Sequence, residues 1–127
     1  MTPSDLTPSM LTFLSERHLA SLTTLRADGS PHVVPVGFSF DTQQHIVRII
    51  TFDNCTKVRN ARRGGRAAVS QVDGGRWLTL EGTVSATSEP QRVSAAVLGY
   101  ASRYRQPKER SDRVAIEIIV DRVMGNA

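Results

Sequence analysis

The sequence has little of several features that mark whole classes of protein. It holds one cysteine, Cys55, so no disulfide can form within the chain, and only 6% of its residues are aromatic. No apolar run approaches the length of a bilayer-spanning helix, and there is no Gly-x-Gly-x-x-Gly loop of the kind that binds nicotinamide dinucleotides. These absences argue against a disulfide-stabilised secreted domain, a base-stacking surface for nucleic acid, a membrane span and a dinucleotide-binding doubly wound sheet.

Length and charge favour one domain with an anionic partner. A chain of 127 residues can bury one hydrophobic core but not two, so residues 1–127 are expected to form a single domain. The N-terminus lacks the basic-then-apolar pattern of a secretory signal, and together with the lone cysteine this predicts a cytoplasmic protein. The formal net charge of +4 favours a negatively charged ligand.

Hydrophobic periodicity predicts about six strands and three short helices. The helices are expected over residues 7–17, shortly after residue 54, and over residues 88–104, and the strands over residues 19–26, 30–40, 45–51, 66–72, 76–86 and 114–121. Asp28-Gly29 and Asp73-Gly74-Gly75 supply the left-handed conformations that tight hairpin turns need. Antiparallel strands with short connections and few helices predict a mainly β fold, a small barrel rather than a doubly wound sheet.

The stretch from Ile49 to Ser70 carries the clearest chemical signal. A strand ends in a polar turn, and a short helix with several arginines follows. Asn54 is a suitable N-cap for this helix, and Lys57 would then lie in its first turn, near the hydroxyl of Thr51. Free amides, a hydroxyl and a cation together predict a phosphate site. The alternative is that the arginines form only a solvated helix face.

The strand SPHVVPVGFSF contains a proline and a glycine on the same face, Pro35 and Gly37. Proline offers no N–H to a neighbouring strand, and glycine removes a side chain, so this face presents a bare backbone against which a planar ring could lie. The alternative is that both residues merely protect an edge strand from pairing.

Two longer segments, LSERHLASLTTLRADGSPHVVPVGFSFD and SQVDGGRWLTLEG, give the chain a family resemblance. With the order of elements around them, they resemble the split β-barrel flavin and deazaflavin oxidoreductases, whose members include pyridoxamine 5'-phosphate oxidases. More narrowly, they are similar to the actinobacterial branch that uses the deazaflavin coenzyme F-420, and within it to the biliverdin reductases. The resemblance covers nearly the whole chain and implies a six-stranded antiparallel split β-barrel with short flanking helices.

The resemblance also implies a homodimer with two equivalent cofactor sites, each built across the interface. The positions that it assigns to coenzyme F-420 are Val33, Val34, Pro35, Val36 and Gly37 beside the ring, Ile50, Thr51, Lys57, Arg59 and Asn60 towards the phosphate end, and Gln71, Arg76 and Trp77 from the partner subunit. Trp77 as ordinary core filling is the alternative for that residue. No metal site is expected, because His18 has no partner at metal-ligand spacing.

The implied chemistry is hydride transfer from the reduced deazaflavin to a conjugated small molecule, with biliverdin as the expected acceptor. Candidates to pair the propionates of such an acceptor are Arg59, Arg62, Arg76, Arg105 and Lys108, although some of these could instead hold the acidic tail of the coenzyme. Two alternatives stay open: an FMN-dependent oxidase on the same fold, and a protein that binds F-420 or a tetrapyrrole without turnover. The FMN oxidases carry an Arg-led phosphate motif and a C-terminal segment rich in Trp and Arg, and this chain has neither.

Overall fold

The computed structural model describes all 127 residues, which form three α-helices and seven strands. The helices are α1 (Pro8–Ser15), α2 (Thr56–Arg62) and α3 (Pro90–Arg103), and a 3₁₀ turn over Pro3–Asp5 precedes them. Thr7 caps α1 as its sequence predicts, because the Thr7 side chain accepts a hydrogen bond from the amide of Met10. None of the helices is long and apolar enough to cross a bilayer.

The strands form one antiparallel sheet. They are β1 (Ala20–Leu25), β2 (Pro31–Val36), β3 (Ser39–Asp41), β4 (Ile46–Phe52), β5 (Arg66–Asp73), β6 (Arg76–Thr87) and β7 (Arg113–Asn126). Their order across the sheet is β2-β1-β5-β6-β7-β4-β3. Burial alternates along β1, β4 and β5, whereas Val114–Ile118 of β7 are all buried, and the core also includes Phe13 of α1 and Phe38. The predicted mainly β fold is therefore confirmed.

The expected count of six strands was wrong by one. The segment predicted as a single strand over residues 30–40 is broken at Gly37 and Phe38, and its halves become β2 and β3, the two edges of the sheet. Because only these two residues separate them in sequence, the edges cannot be more than about 10 Å apart there, so the sheet must curl into a barrel. No ladder joins β2 to β3, and the barrel is split along this seam.

The end of α3 closes the seam with side-chain hydrogen bonds. Tyr104 accepts a hydrogen bond from the amide of Phe38 at 3.2 Å and donates one to the carbonyl oxygen of His18 at 2.5 Å. Arg103 donates to the carbonyl oxygens of Phe38 and Glu16 and to the side chain of Gln71. Burial raises the pKa of Tyr104, which keeps its hydroxyl protonated and able to donate. These bonds satisfy backbone groups that a closed ladder would otherwise pair.

Candidate functional site

A groove of about 520 Å³ lies between the end of β2, the end of β4, α2 and the loop after α3. Six of the residues assigned by resemblance line it together: Pro35, Val36, Gly37, Ile50, Thr51 and Lys57. The positions lie at the end of β2, on β4 and in the first turn of α2, and the fold brings them to one surface. The remaining lining residues are Phe52, Tyr100, Arg105, Gln106, Pro107, Lys108, Arg110 and Arg113.

The groove lining holds five cationic side chains and no carboxylate. Arg110 is neutralised by Asp112 at 2.9 Å, and Arg113 donates to the backbone oxygen of Lys108. The other three cations, Lys57, Arg105 and Lys108, form no salt bridge within the chain. The charge of Lys57 also acts on His32. The pKa of His32 is lowered first by burial and then by the charges of Arg26, which lies outside the groove lining, and Lys57. This surface is therefore suited to an anionic ligand.

The turn into α2 differs from the sequence prediction. Asn54 is not the N-cap; its backbone is left-handed, with a φ of 64°, and Cys55 occupies the N-cap position without a capping side-chain bond. Asparagine is among the non-glycine residues that tolerate this conformation best, so Asn54 turns the chain instead of capping it. Lys57 still lies in the first turn, with its ammonium group 5.7 Å from the Phe52 ring centroid.

The bare backbone predicted at Pro35 and Gly37 is only partly present. Pro35 is exposed on β2, an edge strand, as its missing N–H requires. The open side of Gly37, however, is filled by α3, because a Cβ atom there would lie 3.1 Å from ring atoms of Tyr100 and Tyr104. Glycine is needed at this position for the close approach of the two tyrosines, and Gly37 faces the groove through its backbone.

Besides Val33 and Val34 of β2, five residues assigned by resemblance do not line the groove on this chain. Asn60 is buried and donates to Thr24, and its carbonyl oxygen accepts from Arg63. Gln71 is also buried, donating to the backbone of Phe13 and accepting from Arg103. Both side-chain amides are thus buried and hydrogen-bonded within the fold. The other three are Arg59, Arg76 and Trp77.

Those three residues lie on the surface of the chain. Arg59 bonds only to Thr56 of its own helix, whereas Arg76 is held by Glu16 and Asp73. Trp77 is 39% exposed, which excludes ordinary core filling. Of the β2 valines, Val33 is exposed on the outer face and Val34 packs against the core. Arg62, a candidate for the acceptor's propionates, pairs with Asp53.

Sequence reasoning missed most of the loop wall of the groove. Arg105 and Lys108 were candidates for the acceptor, but Arg110, Arg113, Phe52 and Tyr100 carried no assignment. The available signal was the density of cations after α3. Tyr100 gave the opposite signal, because its spacing with Val93 and Val97 is typical of the buried face of a helix.

A second group of polar side chains lies where α1 meets the β5–β6 hairpin. Glu16, His18 and Asp73 offer ligand atoms within 4.8 Å of one another. Glu16 is, however, bound by both terminal nitrogens of Arg76, at 2.9 and 3.1 Å, and by His18. The Arg76 hydrogen bond, followed by the one from His18, lowers the pKa of Glu16 to about 2. The carboxylate therefore serves an ion pair that joins α1 to the hairpin.

Comparison with known proteins places the chain in a family. Residues 6–126 match the family model described as pyridoxamine 5'-phosphate oxidase. The chain belongs to this family. This agrees with the seven-stranded split barrel and confirms the resemblance that the sequence indicated.

Individual relatives agree with the family match. The chain is 54% identical over 126 residues to the reduced-F-420-dependent biliverdin reductase of Mycobacterium tuberculosis (strain CDC 1551 / Oshkosh), covering 99% of this chain and 92% of that protein. A solved F-420 reductase is 25% identical with a TM-score of 0.72, over 89% of this chain and 94% of the other. HutZ, the haem storage protein of Vibrio cholerae, shares the fold at 15% identity, with a TM-score of 0.77 and 94% of both chains covered.

Proposed function

We propose that this protein is a reductase that uses reduced coenzyme F-420 to convert biliverdin to bilirubin. The observation that carries the proposal is the groove with five cations and no carboxylate, in a chain 54% identical to a biliverdin reductase of that specificity. The coenzyme bears phosphate and carboxylate groups, and biliverdin bears two propionates, so both ligands carry the charge that this surface favours.

The groove residues fit the two ends of a deazaflavin coenzyme. Lys57 can bind its phosphate through a charge-assisted hydrogen bond, and the Thr51 hydroxyl, which lies 3.6 Å from the Cys55 sulfur, also lines the groove. The segment from Pro35 to Gly37 and the side chain of Ile50 form a wall of the groove against which its ring can lie. When bound, the reduced ring supplies a hydride, and the protein's task is to hold ring and acceptor together and exclude water.

The proposed enzyme is a cytoplasmic homodimer whose partner subunit covers the groove. Support comes from the outer face of the sheet, where two rows of cross-strand neighbours carry no charge. The two rows are Pro35, Ser21, Ser70, Thr79 and Met124, and Val72, Trp77 and Asn126. A third row, Val33, Thr23 and Ala68, is uncharged as far as β5 and continues to Glu81 and Arg122. Val72 is 68% and Trp77 39% exposed in the single chain, and a second copy would remove both from water. Arg76 and Trp77 would then approach the partner's groove.

Titration of the purified protein with oxidised F-420 and, in parallel, with FMN tests the cofactor. Quenching of coenzyme fluorescence at low micromolar F-420, with much weaker FMN binding, is the expected result. Addition of biliverdin to protein loaded with reduced F-420 should then produce bilirubin absorbance. Preference for FMN would overturn the deazaflavin assignment, and F-420 binding without turnover would make the protein a carrier.

A further inference from the structure

Tyr100 is a polar side chain in the groove that the fold itself does not use. The chain has two tyrosines, Tyr100 in the last turn of α3 and Tyr104 directly after the helix, with ring centroids 4.9 Å apart. The hydroxyl of Tyr104 makes two hydrogen bonds across the seam, to Phe38 and His18. The hydroxyl of Tyr100 makes none within the chain, and it is not among the buried unpartnered atoms, so it is open to a ligand.

Tyr100 also lies next to the strand that we assign to the coenzyme ring. Its ring edge is 3.1 Å from the position that a Cβ atom on Gly37 would take, and both residues line the groove. The guanidinium groups of the groove arginines do not release a proton. The phenol of Tyr100 carries one, and its ring packs against Gly37 in the groove.

We infer that Tyr100 donates the proton that accompanies hydride transfer to the acceptor; this inference rests on the proposed reductase function. The hydride forms a new C–H bond at a bridging carbon of the conjugated acceptor, and the displaced electron pair moves onto a ring nitrogen. The O–H bond of Tyr100 breaks and an N–H bond forms on the acceptor, and water then reprotonates the tyrosinate. A nitrogen anion of this kind is far more basic than a phenolate, so the transfer is downhill.

Replacing Tyr100 by phenylalanine removes only the unpartnered hydroxyl, so Tyr100→Phe should fold as the wild type does. With biliverdin and reduced F-420, its single-turnover rate constant should fall about 100-fold, the lower range for loss of a general acid. Affinity for oxidised F-420 should not change. Biliverdin binding without coenzyme, followed by absorbance, should weaken about fivefold because one hydrogen bond is lost.

Tyr104→Phe is the matched control, because it removes the other phenol from the same helix. It should unfold at lower urea concentration than the wild type, yet its single-turnover rate while folded should stay near the wild-type value. Wild-type rates in Tyr100→Phe would overturn the inference and leave the reductase proposal intact. Equal losses of turnover and F-420 affinity would also overturn it, by making Tyr100 a wall of the coenzyme site. Failure of the wild type to reduce biliverdin would remove both proposals.

Discussion

Lys57 is the residue at which the proposed anion site can be tested most directly. It lies in the first turn of α2, lines the groove and pairs with no carboxylate. Lys57→Ala should weaken F-420 binding by about 1–3 kcal/mol, the value of a charge-assisted hydrogen bond, and change the free energy of unfolding by less than about 0.5 kcal/mol. Fluorescence titration and urea unfolding measure the two effects.

Arg59→Ala is the comparison for that experiment, because it removes a cation from the same helix but outside the groove of this chain. We expect a smaller loss of F-420 affinity than for Lys57→Ala. If affinity falls only in Arg59→Ala, the phosphate site lies elsewhere and Lys57 does not bind the coenzyme.

Gly37 is the residue at which the seam and the groove meet. Adding a methyl group there would bring it to 3.1 Å from ring atoms of Tyr100 and Tyr104, and the hydroxyl of Tyr104 is held by two hydrogen bonds. Gly37→Ala should therefore destabilise the fold by about 1–3 kcal/mol in urea unfolding. Gly75→Ala, where a Cβ meets nothing within 4 Å, should change stability by less than about 0.5 kcal/mol. Equal effects of the two substitutions would show that α3 tolerates the extra atom.

At the scale of elements, the ion pair between Glu16 and Arg76 ties α1 to the β5–β6 hairpin. Arg76 lowers the pKa of Glu16 to about 2, whereas the pKa of a glutamate in an unfolded chain is about 4.3. The folded state thus binds the proton of this carboxyl group less tightly than the unfolded state does. The stabilisation that the ion pair gives the folded state is therefore complete above about pH 5 and is lost as the pH falls towards about 2.

Thermal unfolding of Glu16→Gln between about pH 5 and pH 2 tests this link, because the variant cannot titrate at residue 16. Its melting temperature should fall less steeply with acidification than that of the wild type. Glu109→Gln, which removes a carboxylate that pairs with no cation, should retain the wild-type slope. Parallel curves for all three proteins would mean that the ion pair contributes nothing to acid stability.

At the scale of the whole molecule, the two uncharged rows on the outer face of the sheet predict the assembly. Val72→Asp places a charge on that face, at a side chain 68% exposed in the single chain, so it should leave the subunit folded and separate the dimer. Leu98→Asp introduces the same charge at a similarly exposed position, 67%, on α3. Sedimentation velocity should show a monomer for the first variant and a dimer for the second.

The Val72→Asp monomer should also bind F-420 more weakly, since it lacks the partner's Arg76 and Trp77. Full F-420 affinity in a monomeric variant would mean that each groove is complete within one chain. A dimeric Val72→Asp protein would place the interface on another surface.

Local patterns in the sequence determined much of this molecule. Hairpin turns at Gly29 and Gly74 have the positive φ angles that their sequences predict, and burial alternates along β1, β4 and β5 as expected. These features depend on neighbours within a few residues, which is the range over which sequence patterns act. Six groove residues followed instead from the resemblance of the whole chain to its family.

Only the tertiary structure decided how the barrel closes and what completes the groove. At the break after β2, Arg103 and Tyr104, more than 60 residues away, bind the backbone of Phe38. Other long-range contacts hold the amides of Asn60 and Gln71 inside the fold, and the packing of α3 brings Tyr100 and the loop cations to the groove. No local propensity encodes such contacts, because they are set by which surfaces meet when the whole core is buried.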